Sequence, residues 1–417
     1  MAASISSPET SRGPRVALLV VVALALAIRV GWVLRLPASE EYLANLPDQL
    51  EYLQLGRNLL ERSELVFYSD VFQDELRAYR TPGYPLLIAA LRADVRAVRV
   101  AQALIDTSTV LAACVLARRW LRPASSAVAA ALVALNPFLV YFCGLILTET
   151  LFAAMLTWGM ALLVTTTPKR WASAAWLLGA VLLALSVLVR PSALLLPILL
   201  AVGAAIANGR AGKPHPSRWA PPVATTVLIL QMAVLLPWGY RNWRALGSWV
   251  MTTTNSGVTL YDGLHPDATG ASDQRFLRSM PQLRRMTEVQ RSEYLSNLAW
   301  QYAQEHPRRA LELAARKVAR TWSPVPLSSD YGSRRNVIVG AIYMIPLLLL
   351  VVMGLWRGPL PVAAKVFLLL PAIYFTAAHA VSVGSLRYRL PADVPMAVVA
   401  ASAAGAALLR PRGKAHG

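Results

Sequence analysis

Long apolar runs separated by short polar breaks recur along the whole chain. They fall at residues 16–36, 97–117, 123–143, 145–165, 171–190, 191–208, 219–239, 336–356, 362–383 and 390–409. Each approaches the roughly 20 residues that carry an α-helix across a bilayer. The pattern predicts an all-α polytopic membrane protein with about ten transmembrane helices. The fifth and sixth runs meet at Arg190-Pro191, where proline suits a reversal or the first turn of the next helix. The first run exceeds the roughly 7–15 residues of a signal-peptide core and lacks a small-residue cleavage site, so it reads as a retained span. Composition points the same way: of 417 residues 56% are hydrophobic and 15% charged, against roughly 25% charged in soluble domains.

Charge sets the orientation. With the N-terminus inside, the inner segments carry Arg12, Arg15, Arg118, Arg119, Arg122, Lys169, Arg170, Arg210, Lys213, Arg218, Arg357, Lys365, Arg410, Arg412 and Lys414, and their one acid is Glu9. This is the positive-inside bias. Residues 1–15 and 410–417 then read as cytoplasmic tails, and 16–239 as a transmembrane module of about seven spans that includes a first outer loop, 37–96. Residues 240–335 form a second outer loop, mostly helical, and 336–409 the last three spans. The expected location is the cell (plasma or inner) membrane.

The first outer loop is acid-rich. From Asp48 to Arg62, Tyr52, Leu53, Leu55, Leu59 and Leu60 cover one helical face, while Asp48, Glu51, Arg57, Asn58 and Glu61 lie elsewhere. Pro82-Gly83-Tyr84-Pro85 opens an apolar stretch, Leu86 to Leu91, too short to cross. Both read as helices lying in the interface. The second loop carries helical stretches at Val289–Glu305 and Pro307–Trp322. Neither loop shows the strand alternation of a separate soluble domain, and there is no internal repeat.

Ionisable groups at or inside spans are candidates for function because burying them there is costly. They are Arg29, Asp106, Glu149, Arg190, His379, Arg387, Arg389 and Asp393. Asp106 and Asp393 suit interhelical hydrogen bonds. On the topology above, Glu149, Arg190, His379, Arg387 and Arg389 gather at outer helix ends, on the side of Asp48 and Arg80. Carboxylates beside clustered arginines suit the transfer of a group from a phosphate leaving group to a hydroxyl or amine. The carboxylate accepts the nucleophile's proton, and arginine neutralises the departing phosphate. There is no HExxH or Cys/His spacing, and Cys114 and Cys143 are too far apart for a disulfide. Paired acids can bind Mg²⁺ or Mn²⁺, yet nothing in the pattern demands a metal or other cofactor. The net charge of +19 invites a nucleic-acid reading. The basic second loop has interspersed acids and borders the membrane, so lipid phosphate is the expected partner and nucleic acid is not.

At this point the chain resembles a known family. Its first loop is similar to that of the polytopic GT-C glycosyltransferases, in particular the group joining protein O-mannosyltransferases and the lipid A aminoarabinose transferases. In DQLEYLQLGRNLL, Asp48 stands four residues before Tyr52; RTPGYPLLIAAL, from Arg80, is similar to the family's basic-x-Pro-x-x-Pro element; LTETLF places Glu149 at its second acidic position. LLPWGYRNW, LYDGLHPDATG and RYRLPADVP resemble later landmarks, in order, so the resemblance covers residues 29–395. It implies that Asp48 is the catalytic base and that Arg80, Arg387 and Arg389 contact a lipid phosphate. Position and resemblance together make Asp48 and Glu149 the catalytic candidates. Tyr52, Arg80, Tyr84, Arg190, His379, Arg387, Tyr388 and Arg389 are the substrate-binding candidates.

The implied activity is inverting transfer of a hexosyl or pentosyl group from a polyprenyl-phosphate donor to a protein, lipid or glycan acceptor at the outer face, among membrane lipids. A lipid-linked-sugar flippase or a non-catalytic binding protein of the same fold are the alternatives. Three departures stand out. Gln49 follows Asp48 where several relatives carry a second acid, Leu264 stands where a polar residue is common, and the chain ends at Gly417 without the extra soluble domain of longer relatives.

Overall fold

The computed structural model describes residues 12–165, 174–208, 220–328 and 332–408. Of the tails expected at 1–15 and 410–417, residues 1–11 and 410–417 lie outside the described residues, as does the basic loop 166–173. Every apolar run read from the sequence holds a helix. Five are long and apolar enough to cross a membrane: Gly13–Val33, Val95–Arg118, Pro221–Leu246, Arg334–Arg357 and Val362–Val381. At 22 residues, the helix Arg12–Val33 is about 33 Å long, against roughly 30 Å of hydrocarbon. The other runs hold shorter apolar helices: Pro123–Ala134, Glu149–Thr165, Ala174–Ser186, Pro191–Ala207 and Leu390–Ala404.

Two of these shorter elements correct the hydropathy pattern. Residues 123–143 are not one helix. Pro137 cannot continue a hydrogen-bonded turn, and the Asn136 side chain accepts from the amides of Phe138 (2.9 Å) and Leu139 (3.3 Å). It thereby starts a new short helix, Pro137–Phe142. Likewise 145–165 becomes helical only at Glu149. Both breaks lie at the end of the bundle where the site forms. At Arg190-Pro191 the chain makes a single 3₁₀ turn, Pro191–Ala193, before the helix Leu196–Ala207.

The bundle is pinned by a buried ion pair. Arg29, with no exposed surface, donates from Nε to Asp106 Oδ2 at 2.6 Å. Its remaining donors reach the carbonyls of Ala25 (3.3 Å), Ala134 (2.9 Å) and Val133 (3.2 Å). Three helices are thereby joined at one guanidinium, in agreement with an interhelical role for Asp106. Asp393 meets Arg389 at 3.5 Å and Asn136 at 3.5 Å.

The first loop is ordered against the bundle. Its main helix is Pro47–Arg62, followed by the helix Gly83–Ala90. Between them lies an antiparallel hairpin, Phe67–Ser69 with Asp74–Leu76, paired Phe67 to Leu76. Strands of three residues are too short to show alternation, so the sequence pattern misses them. Gly83 is needed for close approach. Its amide donates to Leu188 O at 2.8 Å, and a Cβ there would lie 2.7 Å from the same oxygen. That contact brings the Arg80 segment to the chain just before Arg190. The second loop contributes the helices Asn255–Gly263, Glu288–Glu305 and Pro307–Thr321, the last two within a residue of expectation.

Removing one member of the buried pair leaves the other charge without compensation. Asp106→Ala is expected to cost about 3–5 kcal/mol and to lower the thermal midpoint of the detergent-solubilised protein. The double replacement Arg29→Leu with Asp106→Leu should recover most of the loss; a double variant no more stable than Asp106→Ala contradicts the assignment.

Candidate active site

Asp48 sits in the first turn of the helix Pro47–Arg62, which no side chain caps, so Asp48 does not spend its carboxylate on the helix. The oxygens reach outward to two arginines: Oδ1 accepts from Arg80 Nη2 at 2.7 Å and Oδ2 from Arg387 Nη1 at 3.2 Å. Arg387 also donates from Nε to Glu149 Oε1 at 2.7 Å, and Arg190 Nη1 lies 3.7 Å from that oxygen. On the other flank Arg80 Nε donates to Glu51 Oε2 at 2.9 Å. The result is an alternating row: Glu51, Arg80, Asp48, Arg387, Glu149, Arg190. Three carboxylates face three guanidiniums, so the row is close to neutral. It is open in the middle and closed at one end, for about a third of the Asp48 side chain is exposed (32%) and almost none of Glu149 (1%).

The acids behave differently. Burial pushes the Asp48 carboxyl up, but Arg80 and Arg387 more than offset it and lower its pKa to about 2. Glu51 moves the opposite way. Its burial, reinforced by the charge of Asp48, outweighs Arg80, and its pKa is raised. The carboxylates hold both arginines firmly protonated, since Glu51 and Asp48 more than offset the burial of Arg80, and Glu149 and Asp48 that of Arg387.

Aromatic rings wall the row. The Arg80 guanidinium stands 5.2 Å from the Tyr52 ring and 5.4 Å from that of Tyr79. Arg190 stands 5.4 Å from Tyr388 and 5.8 Å from Phe152. His379 stacks on Tyr388, with centroids 3.8 Å apart; its Nδ1 meets Ser382 Oγ at 3.1 Å and its Nε2 is buried without a partner.

Of the residues singled out in the sequence, Asp48, Arg80, Glu149, Arg190 and Arg387 converge, with Tyr52, Tyr388 and His379 around them. Two do not join. The Arg389 side chain is wholly buried, donates to the carbonyls of Thr321 (3.1 Å) and Ser323 (2.5 Å), and pairs with Asp393. These contacts tie the start of the last helix to the Thr321–Ser323 turn, and they leave Arg389, expected to meet phosphate, outside the row. The Tyr84 hydroxyl donates to Gln102 Oε1 at 2.7 Å in the interior; its ring backs Tyr52 edge-on at 5.2 Å. It supports the site without facing it.

Glu51 is a member that sequence reasoning left out. The available signal was its spacing, because residues three apart share a helical face, and Asp48 lies three before it. Gln49 also gains a role. Its amide donates to Leu43 O at 3.3 Å and accepts from Ile146 N at 3.0 Å, tying the Asp48 helix to the chain just ahead of Glu149. Among the described residues no group of three or more His, Cys, Asp and Glu is placed to hold a metal.

No family model and no curated protein matches the sequence. Solved structures do match the fold. The oligosaccharyltransferase AglB of Archaeoglobus fulgidus, in complex with an inhibitory peptide and a dolichol-phosphate, superposes with a TM-score of 0.58 at 12% identity, over 96% of this chain and 51% of that one. The Archaeoglobus fulgidus oligosaccharyltransferase tethered to an acceptor peptide with the NVT sequon gives 0.57 at 12%, over 95% and 49%. ArnT of Cupriavidus metallidurans bound to undecaprenyl phosphate gives 0.39 at 12%, over 93% and 77%. The chain spans about half the length of the two oligosaccharyltransferase structures. The chain therefore shares the fold of these oligosaccharyltransferase structures, and with five helices long and apolar enough to cross a membrane among the described residues it is a multi-pass membrane protein.

The depressed pKa has a consequence for stability. Asp48 is lowered from 3.8 to about 2, so its contribution is fully present above pH 3.8 and is lost as pH falls toward 2. Solvent at its exposed edge damps the effect. Asp48→Asn should flatten this part of the acid-unfolding curve; an unchanged curve contradicts the pairing.

Proposed function

We propose that the protein is an inverting glycosyltransferase that moves a sugar from a polyprenyl-phosphate donor to an acceptor nucleophile at the outer face of the membrane. The observation that carries the reading is Asp48 held between Arg80 and Arg387 at the accessible middle of the row. A base and two phosphate-binding groups stand side by side there. The dolichol-phosphate held by a neighbour of the same fold supports a lipid phosphate as the ligand, and the Lys/Arg bias of the other side supports the outer face.

In this reading the acceptor oxygen or nitrogen attacks the anomeric carbon, the carbon–oxygen bond to phosphate breaks, and the configuration inverts. The acceptor proton passes to Asp48. The leaving phosphate, which gains a negative charge as the bond breaks, is met by Arg80 and Arg387, with Arg190 behind. Glu149 fixes Arg387 and Arg190 and has one buried oxygen, Oε2, unpartnered for a hydroxyl of the sugar or acceptor. No cofactor is called for in this reading, because the guanidiniums meet the leaving-group charge.

A carboxylate with a pKa of about 2 is a weak base. The donor phosphate draws on the same guanidiniums, so its arrival loosens both contacts and raises the basicity of Asp48. The base is switched on by the substrate it serves. Purified Asp48→Asn protein should bind undecaprenyl phosphate at least as well as wild type and lose turnover about 10²-fold or more. Arg387→Ala should bind the lipid phosphate more weakly. Wild-type turnover in Asp48→Asn protein, with membrane acceptors and a polyprenyl-phosphate sugar, overturns the assignment.

The same coupling predicts a split between kinetic parameters. The acid limb of kcat reports Asp48 in the complex and should lie at higher pH than that of kcat/KM, which reports the free enzyme. Coincident limbs contradict the switching.

A further inference from the structure

Arg80 follows a stretch with no regular structure of its own: the hairpin ends at Leu76 and the next helix begins at Gly83. Groups from the second outer loop take up its backbone. Glu288, the first residue of the helix Glu288–Glu305, accepts from Arg77 N at 2.7 Å and Ala78 N at 3.0 Å. Thr254 Oγ1 donates to the same carboxylate. Thr254 N donates to Ala78 O at 3.0 Å, Thr253 Oγ1 to Tyr79 O, and Arg241 Nη1 to Arg77 O at 2.6 Å.

Glu288 is buried, and its three donors are two amides and a hydroxyl, none of them charged. Burying a carboxylate is costly even with the charge of Arg241 acting on it from beside the same segment, so its place calls for a reason. Capping its own helix is not that reason, because Thr287 and Gln290 already form a capping box there. What the carboxylate does uniquely is grip two successive amides, three and two residues before Arg80. Two oxygens are needed for that. A glutamine would turn an N–H donor toward one of the amides, and an aspartate is one methylene short.

We propose that Glu288 is a positioning residue: from the second outer loop it holds the Arg77–Ala78 backbone so that the Arg80 guanidinium is set between Asp48 and Glu51, where it meets the donor phosphate. The phosphate part rests on the functional reading above; the placement of Arg80 against Asp48 does not. Arg80 spans to both carboxylates from a backbone with few internal hydrogen bonds, so a shift of the segment moves the guanidinium off Asp48.

The test uses full-length Glu288→Gln protein in detergent with two readouts. One is the affinity for undecaprenyl phosphate. The other is the titration of the Asp48 carboxyl, followed by carbon NMR on labelled aspartate and assigned with Asp48→Asn. The variant is expected to bind the lipid phosphate about tenfold more weakly or worse, to titrate Asp48 at higher pH than wild type, and to add no further loss in an Arg80→Ala background. Wild-type affinity with an unmoved Asp48 titration overturns the proposal, as does a loss that adds in full to that of Arg80→Ala. If wild-type protein binds no undecaprenyl phosphate, the donor reading fails while the Asp48 titration still decides the positioning role. If Glu288→Gln does not fold, Glu288→Asp is carried through the same readouts and is expected to move them in the same direction; unmoved readouts in that variant likewise overturn the proposal.

Discussion

Everything at the site end of this molecule depends on one row of alternating charge. Asp48, Glu51 and Glu149 could not be gathered without Arg80, Arg190 and Arg387 among them, because partly buried like charges repel strongly where the dielectric is low. Each pairing joins a different part of the chain. Arg80 links the hairpin exit to the helix Pro47–Arg62, Arg387 links the entry of the last helix to that helix and to the one opened by Glu149, and Arg190 closes the row from the junction between two shorter apolar helices. The row is thus the stitch that closes the fold and, in the proposed function, also the place of the chemistry, where a donor phosphate would compete for the same guanidiniums.

The second loop, whose arginines first suggest headgroup contact, acts as a frame for this row. It grips the stretch before Arg80 through Glu288, Thr253, Thr254 and Arg241. It also grips the stretch before Arg387. Lys317 Nζ donates to Val381 O at 2.8 Å, Gly384 N donates to Gly270 O at 2.9 Å, and a Cβ on Gly384 would lie 2.5 Å from Lys317 O. Buried Asp262 and Lys317 belong to this frame. Burial raises the Asp262 carboxyl to about 6 and lowers the Lys317 ammonium to about 8, as expected where space is given to packing rather than to solvent.

Hydropathy made the bundle legible because each apolar run reports directly on burial, and a helix stands in each run. It was blind to local chemistry. The break at Asn136-Pro137 lies inside an uninterrupted apolar stretch, and only the pairing of a capping side chain with a proline marks it. Arg387 and Arg389, two residues apart in one motif, look equivalent in sequence and face opposite ways, because a 3₁₀ turn, Leu386–Tyr388, precedes the helix that begins at Leu390. The convergence of Asp48, Arg80, Glu149 and Arg190 was legible because the alternation of apolar runs along the chain puts all four at the same end of the bundle. Glu51 and Glu288 escaped notice among many loop acids, because their partners are 29 and 211 residues away and no local pattern encodes such a distance. Gln49, a departure from the family pattern when read in sequence, proves to be a tie between two carboxylate-bearing segments.

The central claim is that a lipid phosphate takes the two guanidiniums now shared with Asp48. A cryo-electron microscopy map of the protein with a bound polyprenyl-phosphate sugar tests it most directly. The phosphate is predicted within hydrogen-bonding distance of Arg80 and Arg387, with at least one of the Asp48 contacts lengthened and the Asp48 carboxylate on the face of the anomeric carbon away from the phosphate. A phosphate seated elsewhere, with both Asp48 contacts intact, would contradict the account.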